Sequence, residues 1–218
     1  MNDQEQGSVA RRRLALLGAS GHGKVVADSA LAAGWGAVSF FDDAWPRRDA
    51  NGAWPIVGGT AQLAARLSEF DGVVVAIGNA AIRVQKQLEL ARAGAAIATV
   101  IHPRAWVSPH ATLGAGTVVM AGAVINADAV IGQACIINTT ASVDHDCRLA
   151  DGVHISPGAH LSGDVHVGEC SWVGVGSSVR QGIRIGAGVM VGAGSVVVKN
   201  IADHLTVVGC PAAPLADK

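Results

Sequence analysis

The sequence predicts two architectures in succession, an α/β region with a small Rossmann-like parallel sheet and then an all-β solenoid of short parallel strands. The α/β region is indicated by apolar strand-like runs that alternate with amphipathic helical segments. The solenoid is indicated by a strict period of six, because every sixth residue from Val107 to Val197 is aliphatic. We expect a flexible N-terminus at 1–12, the α/β domain at 13–102, the solenoid at 103–202 and a C-terminal tail at 203–218.

The elements of the α/β region follow one another through short, glycine-rich connections. The pattern predicts strands over 13–18, 37–41, 72–77 and 97–101, and helices over 24–33, 60–68 and 81–93. Such alternation favours a parallel sheet with helices packed against it. His102 and Pro103 mark the passage from this region into the solenoid.

The loops that follow three of the predicted strands carry the residues expected to bind a ligand. These residues are Ser20, Gly21 and His22 after the first strand, Asp42 and Asp43 after the second, and Gly78 after the third. Glycine allows the backbone to approach a ligand closely, and the amides that begin the next helix attract phosphate. The carboxyl ends of parallel strands meet at one edge, so we expect a single binding rim. The glycine spacing is not GxGxxG, and a purely structural tight turn remains the alternative.

The period-six region argues against helices, since six is neither the heptad of a coiled coil nor a multiple of 3.6. Four residues after each aliphatic comes a side chain no larger than isoleucine and usually small, as at Ala123, Cys135 and Ala141. Glycine often follows the aliphatic directly, as at Gly132 and Gly168. This pattern is typical of short strands whose aliphatic side chains point inward.

The repeat resembles the hexapeptide acyltransferase family, which folds as a left-handed parallel β-helix with three hexapeptides in each triangular coil. The resemblance implies that residue n stacks over residue n+18, in about five coils here. It also implies a homotrimer, with acyl-CoA bound in the cleft between adjacent solenoids. Hexapeptide solenoids also occur as inert scaffolds, and the repeat by itself leaves that alternative open.

Composition argues against several other classes of protein. The 16 basic and 17 acidic residues nearly balance and aromatics make up 4%, so nothing recommends a nucleic-acid partner. No stretch is long enough to span a membrane, and the apolar run Leu14–Leu17 is too short for a signal peptide. Cys135 and Cys147 fall on small inward positions of the repeat, and the four cysteines show no metal-ligand spacing. The chain is therefore expected to be cytoplasmic, with reduced thiols and no bound metal.

The order of motifs along the whole chain is more specific than either half. These motifs are GASGHG beginning at Gly18, FDD ending at Asp43, AIGN ending at Asn79 with Arg83 after it, and in the solenoid Asn138 and Asp144–Cys147. Together they resemble the nucleotide-sugar N-acetyltransferases of the sialic acid O-acetyltransferase-like superfamily, which include bacillosamine- and perosamine-pathway enzymes. The resemblance covers about 13–214. It implies that the N-terminal domain binds a nucleotide-linked 4-amino-4,6-dideoxysugar and that the solenoid binds acetyl-CoA.

Acetyl transfer to an amine requires a base, and one of the eight histidines stands apart from the others. His145 lies two residues after its aliphatic, between Asp144 and Asp146, and a neighbouring carboxylate raises the basicity of an imidazole. The n+18 rule places the small residues Ala127 and Gly163 one coil away, which leaves room for a substrate. The resemblance implies that His145 is the general base and that Asp146 tunes it. The best-known members of the family carry Glu at the position of Asp146.

The resemblance also implies roles for other solenoid residues. Asn138 is expected to take part in binding the substrate. His154 is expected to contact acetyl-CoA near the thioester, although packing between faces is nearly as good an explanation. Gly163 is expected to offer its N–H to the developing oxyanion, and Val175 and Ala193 to contact the pantetheine arm.

Three classes of function remain in competition at the level of sequence. The first is N-acetylation of a nucleotide-linked aminosugar, which the glycine loop favours because a diphosphate would use it. The second is O-acetylation of a sugar such as sialic acid, which needs the same base. The third is a non-catalytic scaffold or a carbonic-anhydrase-like protein. The wide spread of the histidines argues against the carbonic-anhydrase-like protein, which would need zinc-binding histidines that meet across a subunit interface. The nucleotide base, the sugar stereochemistry and the position of the amine are not determined by the sequence.

Overall fold

The computed structural model describes residues 12–215, so most of the N-terminus predicted to be flexible and the last three residues of the predicted tail lie outside it. The described part begins with an α/β unit. Its elements are β1 (Arg13–Leu17), α1 (Gly21–Ala32), β2 (Ala37–Phe41), β3 (Ala50–Asn51), β4 (Trp54–Pro55), α2 (Thr60–Ala65), a 3-10 turn (Leu67–Glu69), β5 (Gly72–Val75) and α3 (Ala80–Arg92).

The predicted parallel sheet is present, with three strands in the order β2–β1–β5. The central strand β1 is apolar on both faces because both are covered. Leu14 and Leu16 pack with α1, whereas Ala15 and Leu17 pack with residues of α2 and α3. The short strands β3 and β4 form a separate antiparallel pair.

Several predicted boundaries differ from the structure; for example, α2 ends at Ala65 rather than at 68, and β5 ends at Val75 rather than at 77. The first helix begins at Gly21 rather than at 24, because Ser20 already has the extended conformation of an N-cap residue. Gly21 and His22 therefore lie in the first turn of α1 and not in a loop. The strand predicted over 97–101 is divided: Ile97 bridges to Val73 of the sheet, whereas Val100 and Ile101 join the solenoid.

The solenoid consists of short strands arranged on three faces, and all of them except β23 are two residues long. The first face holds β6 (Val100–Ile101), β9 (Val118–Val119), β12 (Ile136–Ile137), β15 (His154–Ile155), β18 (Trp172–Val173), β21 (Met190–Val191), β23 (Thr206–Val208) and β24 (Ala213–Pro214). The second face holds β7 (Trp106–Val107), β10 (Val124–Ile125), β13 (Ser142–Val143), β16 (His160–Leu161), β19 (Ser178–Val179) and β22 (Val196–Val197). The third face holds β8 (Thr112–Leu113), β11 (Val130–Ile131), β14 (Arg148–Leu149), β17 (His166–Val167) and β20 (Arg184–Ile185).

The expected n+18 register is confirmed by the strand pairs, for example Ile125 with Val143 and Val143 with Leu161. The pairing is parallel throughout the repeat, and from β7 to β22 the second residue of each strand points into one continuous aliphatic core. The solenoid has about six coils rather than the five expected, because β6 and β23 extend it at both ends. This architecture is consistent with the left-handed β-helix that the resemblance implies.

Each coil turns at three corners. The first corner joins the first face to the second, as at Thr139–Thr140; the second joins the second face to the third, as at His145–Asp146; the third joins the third face to the first, as at Asp151–Gly152. The third residue after an aliphatic commonly has a left-handed φ, which glycine, and to a lesser degree aspartate, tolerates. Asp146 is one of these residues, with φ 60°.

The α/β unit is fixed to the first face and the third corner of the solenoid. Val26, Ala27 and Ala30 of α1 share a core with Val118 and Ile136. From α3, the guanidinium of the buried Arg83 donates to the carbonyl oxygens of Ala134 (2.8 Å) and Gly152 (2.8 Å) on the solenoid, and to those of Ile77 and Gly78 on the sheet rim. Among residues 12–215, no helix is long and apolar enough to cross a membrane.

Candidate active site

His145 lies at the second corner with its imidazole held by its neighbour. Its Nδ1 is 2.7 Å from Oδ2 of Asp146, and 62% of the side chain is exposed. Because a carboxylate only accepts, Nδ1 carries the proton and Nε2 keeps a lone pair. The hydrogen bond to Asp146 raises the pKa of His145, and the charges of Asp144 and Asp164 act in the same direction. The pair is therefore a base with a fixed tautomer.

The neighbouring carboxylate, Asp144, supports this corner from the other side. Its Oδ1 accepts from the backbone N–H of His145 at 2.8 Å and from Nδ2 of Asn126 at 2.8 Å. These hydrogen bonds hold the pKa of Asp144 below its usual value, so the group stays charged. Asn126 is not among the residues predicted from the sequence, although it stands eighteen residues before Asp144 and the n+18 register places it there.

Gly163 lies one coil below His145, as the register predicts. A Cβ added to Gly163 would come within 2.5 Å of both Cε1 and Nε2 of the imidazole. The space that small residues were expected to leave for a substrate is thus occupied on this side by the His145 ring itself. Any side chain at position 163 would displace the ring.

His154 belongs to a different part of the molecule, the first face of the solenoid. Only 8% of it is exposed, its ring packs against that of Trp172 (4.7 Å between centroids), and its Nε2 lies 3.1 Å from Nδ2 of Asn138. Oδ1 of Asn138 accepts from the Thr139 N–H, so the amide donates and Nε2 accepts. Burial lowers the pKa of His154 to about 3, which keeps the ring neutral.

His22 is near His154 rather than on the glycine loop where the sequence predicts it. Burial, together with the positive charge of Arg83, lowers its pKa to about 4, and a charge on His22 would also disfavour a charge on His154. Nε2 of His22 and Nδ1 of His154 are buried without a hydrogen-bond partner among the described residues. Both rings are therefore neutral, and His22 is close enough to His154 to influence its pKa.

The predicted rim is present at the carboxyl ends of β1, β2 and β5, where it encloses a cavity of about 280 Å³. This rim cavity is lined by Leu17–Ser20, Asp42, Asp43 and Ala76–Gly78. Asp42 holds the loop by accepting from the N–H groups of Ala19 and Ala44. Asp43 accepts from the N–H and hydroxyl of Thr60 at the start of α2. Gly21 is not among the lining residues.

A second cavity of about 300 Å³ continues from the rim onto the first face. It is lined by Gly78–Ala81, His154, Cys170–Trp172 and Gly188–Met190, and Gly78 belongs to both cavities. Trp172 forms one wall, where its indole N–H donates to the hydroxyl of Ser156. The repeat pattern predicts Trp172 only as an exposed apolar residue, because nothing in the period shows which face lies beside the rim.

The residues expected to contact acetyl-CoA are not brought together on one chain. Gly163 lies at the second corner with His145, whereas Val175 and Ala193 lie at the first corner and His154 on the first face. Within the described residues, no group of three or more His, Cys, Asp or Glu side chains is placed to hold a metal ion.

The chain is similar to several solved structures along most of its length. The acetyltransferase domain of PglB from Neisseria gonorrhoeae FA1090, solved with acetyl coenzyme A, is 46% identical (TM-score 0.89), over 94% of this chain and 100% of that one. A mutant of perosamine N-acetyltransferase from Caulobacter crescentus, solved with CoA and GDP-perosamine, is 40% identical (TM-score 0.90), over 94% and 97% of the two chains. WeeI from Acinetobacter baumannii AYE is 26% identical (TM-score 0.83), over 94% and 100%.

The family comparison agrees with these structures. Residues 13–90 match the family described as the PglD N-terminal domain, and no curated sequence matches the chain. A parallel β-helix of six-residue repeats, joined to this domain and carrying an imidazole–carboxylate pair, defines a hexapeptide-repeat acetyltransferase. The chain belongs to the family that contains the bacillosamine- and perosamine-pathway N-acetyltransferases, which confirms the resemblance seen in the sequence.

Proposed function

We propose that the protein transfers the acetyl group of acetyl-CoA to the amine of a nucleotide-linked 4-amino-4,6-dideoxysugar, for the synthesis of a surface polysaccharide or glycan. The observation that carries this proposal is the likeness, over nearly the whole chain, to a perosamine N-acetyltransferase solved with CoA and GDP-perosamine. The rim cavity supports it, since ligands of parallel sheets bind at the carboxyl ends of the strands. Ser20 and Gly78 line that cavity, and Asp42 and Asp43 shape its wall.

In the proposed reaction, the neutral amine attacks the thioester carbonyl and His145 accepts its proton at Nε2. The hydrogen bond from Nδ1 to Asp146 stabilises the imidazolium that forms. The C–S bond then breaks, the CoA thiolate takes up a proton, and the N-acetylated sugar nucleotide is released. The N–H of Gly163, beside the ring, is the proposed donor to the oxyanion.

The direct test is incubation with acetyl-CoA and a panel of GDP-, UDP- and dTDP-linked aminosugars, with thiol release and product mass as the measurements. We expect acetylation of at least one 4-amino sugar and none of its 4-hydroxy counterpart. An O-acetylated product would favour the sialic acid type of activity, and no thiol release with any amine would favour a scaffold. Either outcome would contradict the proposal.

The pKa of His145 gives a prediction about pH. The base acts only when neutral, so activity falls as the pH drops through its pKa, and Asp146 raises that pKa. For Asp146→Asn we expect turnover to fall about tenfold and the acidic limb of the kcat/KM profile to move to lower pH. Asp128→Asn, which removes a carboxylate one coil away at the same corner, is the control and should leave the limb in place. If the acidic limb of Asp146→Asn stays at the pH of the parent, this carboxylate does not raise the pKa of His145.

We also propose that the active site forms between chains of a homotrimer. His145 lies at the second corner, which is opposite the first face, whereas the rim cavity and His154 lie on the side of that face. One acetyl-CoA molecule can contact Gly163, Val175 and His154 together only if the second corner of one chain meets the first corner of another. Closed cyclic symmetry then gives three equivalent sites.

Sedimentation is expected to give three times the 22.0 kDa mass of one chain. Mixed trimers provide a sharper test, because His145→Ala chains retain the rim and Gly78→Val chains retain the base. The two variants should be unfolded and refolded together, and assayed at a sugar concentration well below the KM of Gly78→Val. The mixture should then turn over faster than either variant refolded alone. A fully active monomer, or no recovery in verified mixed trimers, would contradict a shared site.

A cytoplasmic location is proposed on chemical grounds. All four cysteines are free, and two of them, Cys135 and Cys147, are buried in the solenoid core. Burial raises the pKa of both thiols, to about 12 and about 11, so they remain protonated and unreactive. Such unpaired thiols agree with a reducing compartment.

A further inference from the structure

The second corner of the solenoid changes charge along its length. Its upper part carries four carboxylates around His145: Asp128, Asp144, Asp146 and Asp164. Its lower part carries two cations, Arg180 and Lys199. The repeat does not require this arrangement, because corner side chains point to solvent and do not take part in the core.

The two cations stand at defined distances below the base. Backbone hydrogen bonds stack the coils at this corner, from Asp164 N–H to His145 O (2.9 Å) and from Arg180 N–H to Val197 O (3.0 Å). Lys199 follows His145 by three coils in the same column, and neighbouring parallel strands lie about 4.8 Å apart, so the separation is about 14 Å. Arg180 is in the adjacent column two coils below, at about 10 Å.

Both cations are exposed, and neither forms an ion pair with a residue in the range 12–215. Arg184, in the same coil as Arg180 but on the third face, is different because it donates to Nδ1 of His166 at 3.0 Å. Arg180 and Lys199 are therefore available to an anionic ligand.

Acetyl-CoA has the dimensions and charge for this corner, given the proposed function that places its thioester at His145. The pantetheine arm separates the sulfur from the diphosphate by about twelve bonds, equal to about four extended residues or about 14 Å. The acidic upper corner repels phosphate, so the arm is directed toward the cations. The diphosphate then reaches the level of Lys199, and the long side chain of Arg180 reaches the same level from one coil above.

We propose that Arg180 and Lys199 form the binding site for the diphosphate of CoA on the second corner. The upper carboxylates exclude the phosphates from the base, and the two cations fix the direction in which the arm lies. This arrangement gives the donor a single orientation along the corner, with the acetyl group at His145.

The test compares the whole protein with Arg180→Gln, Lys199→Gln and the double variant. Calorimetry with CoA should show affinity about tenfold weaker for each single variant, and dephospho-CoA should show the same loss because it keeps the diphosphate. S-acetylpantetheine, which has no phosphate, should be used as a substrate equally well by all variants. The affinity of the parent for CoA should fall with added salt more steeply than that of the double variant.

Arg148→Gln, which removes an exposed cation from the third face, is the matched control and should bind CoA as the parent does. Thermal melting verifies that each variant is folded. If the parent binds CoA and both single variants bind it within about twofold of the parent, the phosphate site is wrong while the proposed function stands. If the parent neither binds CoA nor releases thiol from acetyl-CoA, the proposed function itself is wrong, and the phosphate site with it.

Discussion

His145→Ala is expected to lose turnover by a factor on the order of a hundred or more, the usual contribution of a positioned general base. The imidazole keeps a free lone pair at Nε2, since Asp146 holds its other nitrogen. The side chain is exposed and takes no part in the core, so folding and CoA affinity should be unchanged. The measurements are steady-state kinetics with saturating substrates, calorimetry with CoA and thermal melting.

A histidine at the same corner supplies the control. His110 is exposed two coils above, and His110→Ala should leave kcat unchanged. His145→Asn, which keeps a polar planar group without a base of suitable pKa, should be as inactive as the alanine variant. Turnover of His145→Ala within a few-fold of the parent would remove His145 from the mechanism.

Gly78→Val is expected to raise the KM for the nucleotide sugar by about tenfold or more and to leave the KM for acetyl-CoA nearly unchanged. Gly78 lines both cavities, and a Cβ built on it meets no atom within 4 Å. It has no left-handed φ, and Arg83 uses only its carbonyl oxygen, so the valine fits the fold and excludes only the ligand. Steady-state kinetics with each substrate varied in turn measure the effect.

Ala32→Val, at the far end of α1 from the rim, is the control for a larger side chain and should leave both KM values unchanged. Gly21→Val tests how far the sugar nucleotide extends along the start of α1. A Cβ at Gly21 also meets open space, but the residue does not line the rim cavity, so a smaller rise in KM is expected. If Gly78→Val weakens acetyl-CoA and spares the sugar, the two ligands have been assigned to the wrong parts of the protein.

The sequence determined the architecture because both of its halves are governed by local periodicity. A six-residue period specifies which side chains point inward, and the n+18 register from Val107 to Val197 follows from that pattern and the family it resembles. The alternation of strands and helices predicts the parallel sheet and its rim for the same reason, although only three of the four predicted strands form that sheet. The order of motifs indicates the family. The Asp144–Asp146 segment indicates the imidazole–carboxylate pair, because neighbouring residues at a tight corner stay close.

The tertiary structure decided which face of the solenoid packs against the α/β unit, and therefore which solenoid residues lie beside the rim. The repeat makes its three faces equivalent, so only the packing of α1 and Arg83 shows that the rim opens onto the first face. That packing makes His22 the neutral neighbour of His154 rather than a loop residue. It also places His145 across the solenoid from the rim. These facts follow from contacts between residues far apart in the chain, and the local pattern of a sequence does not specify such contacts.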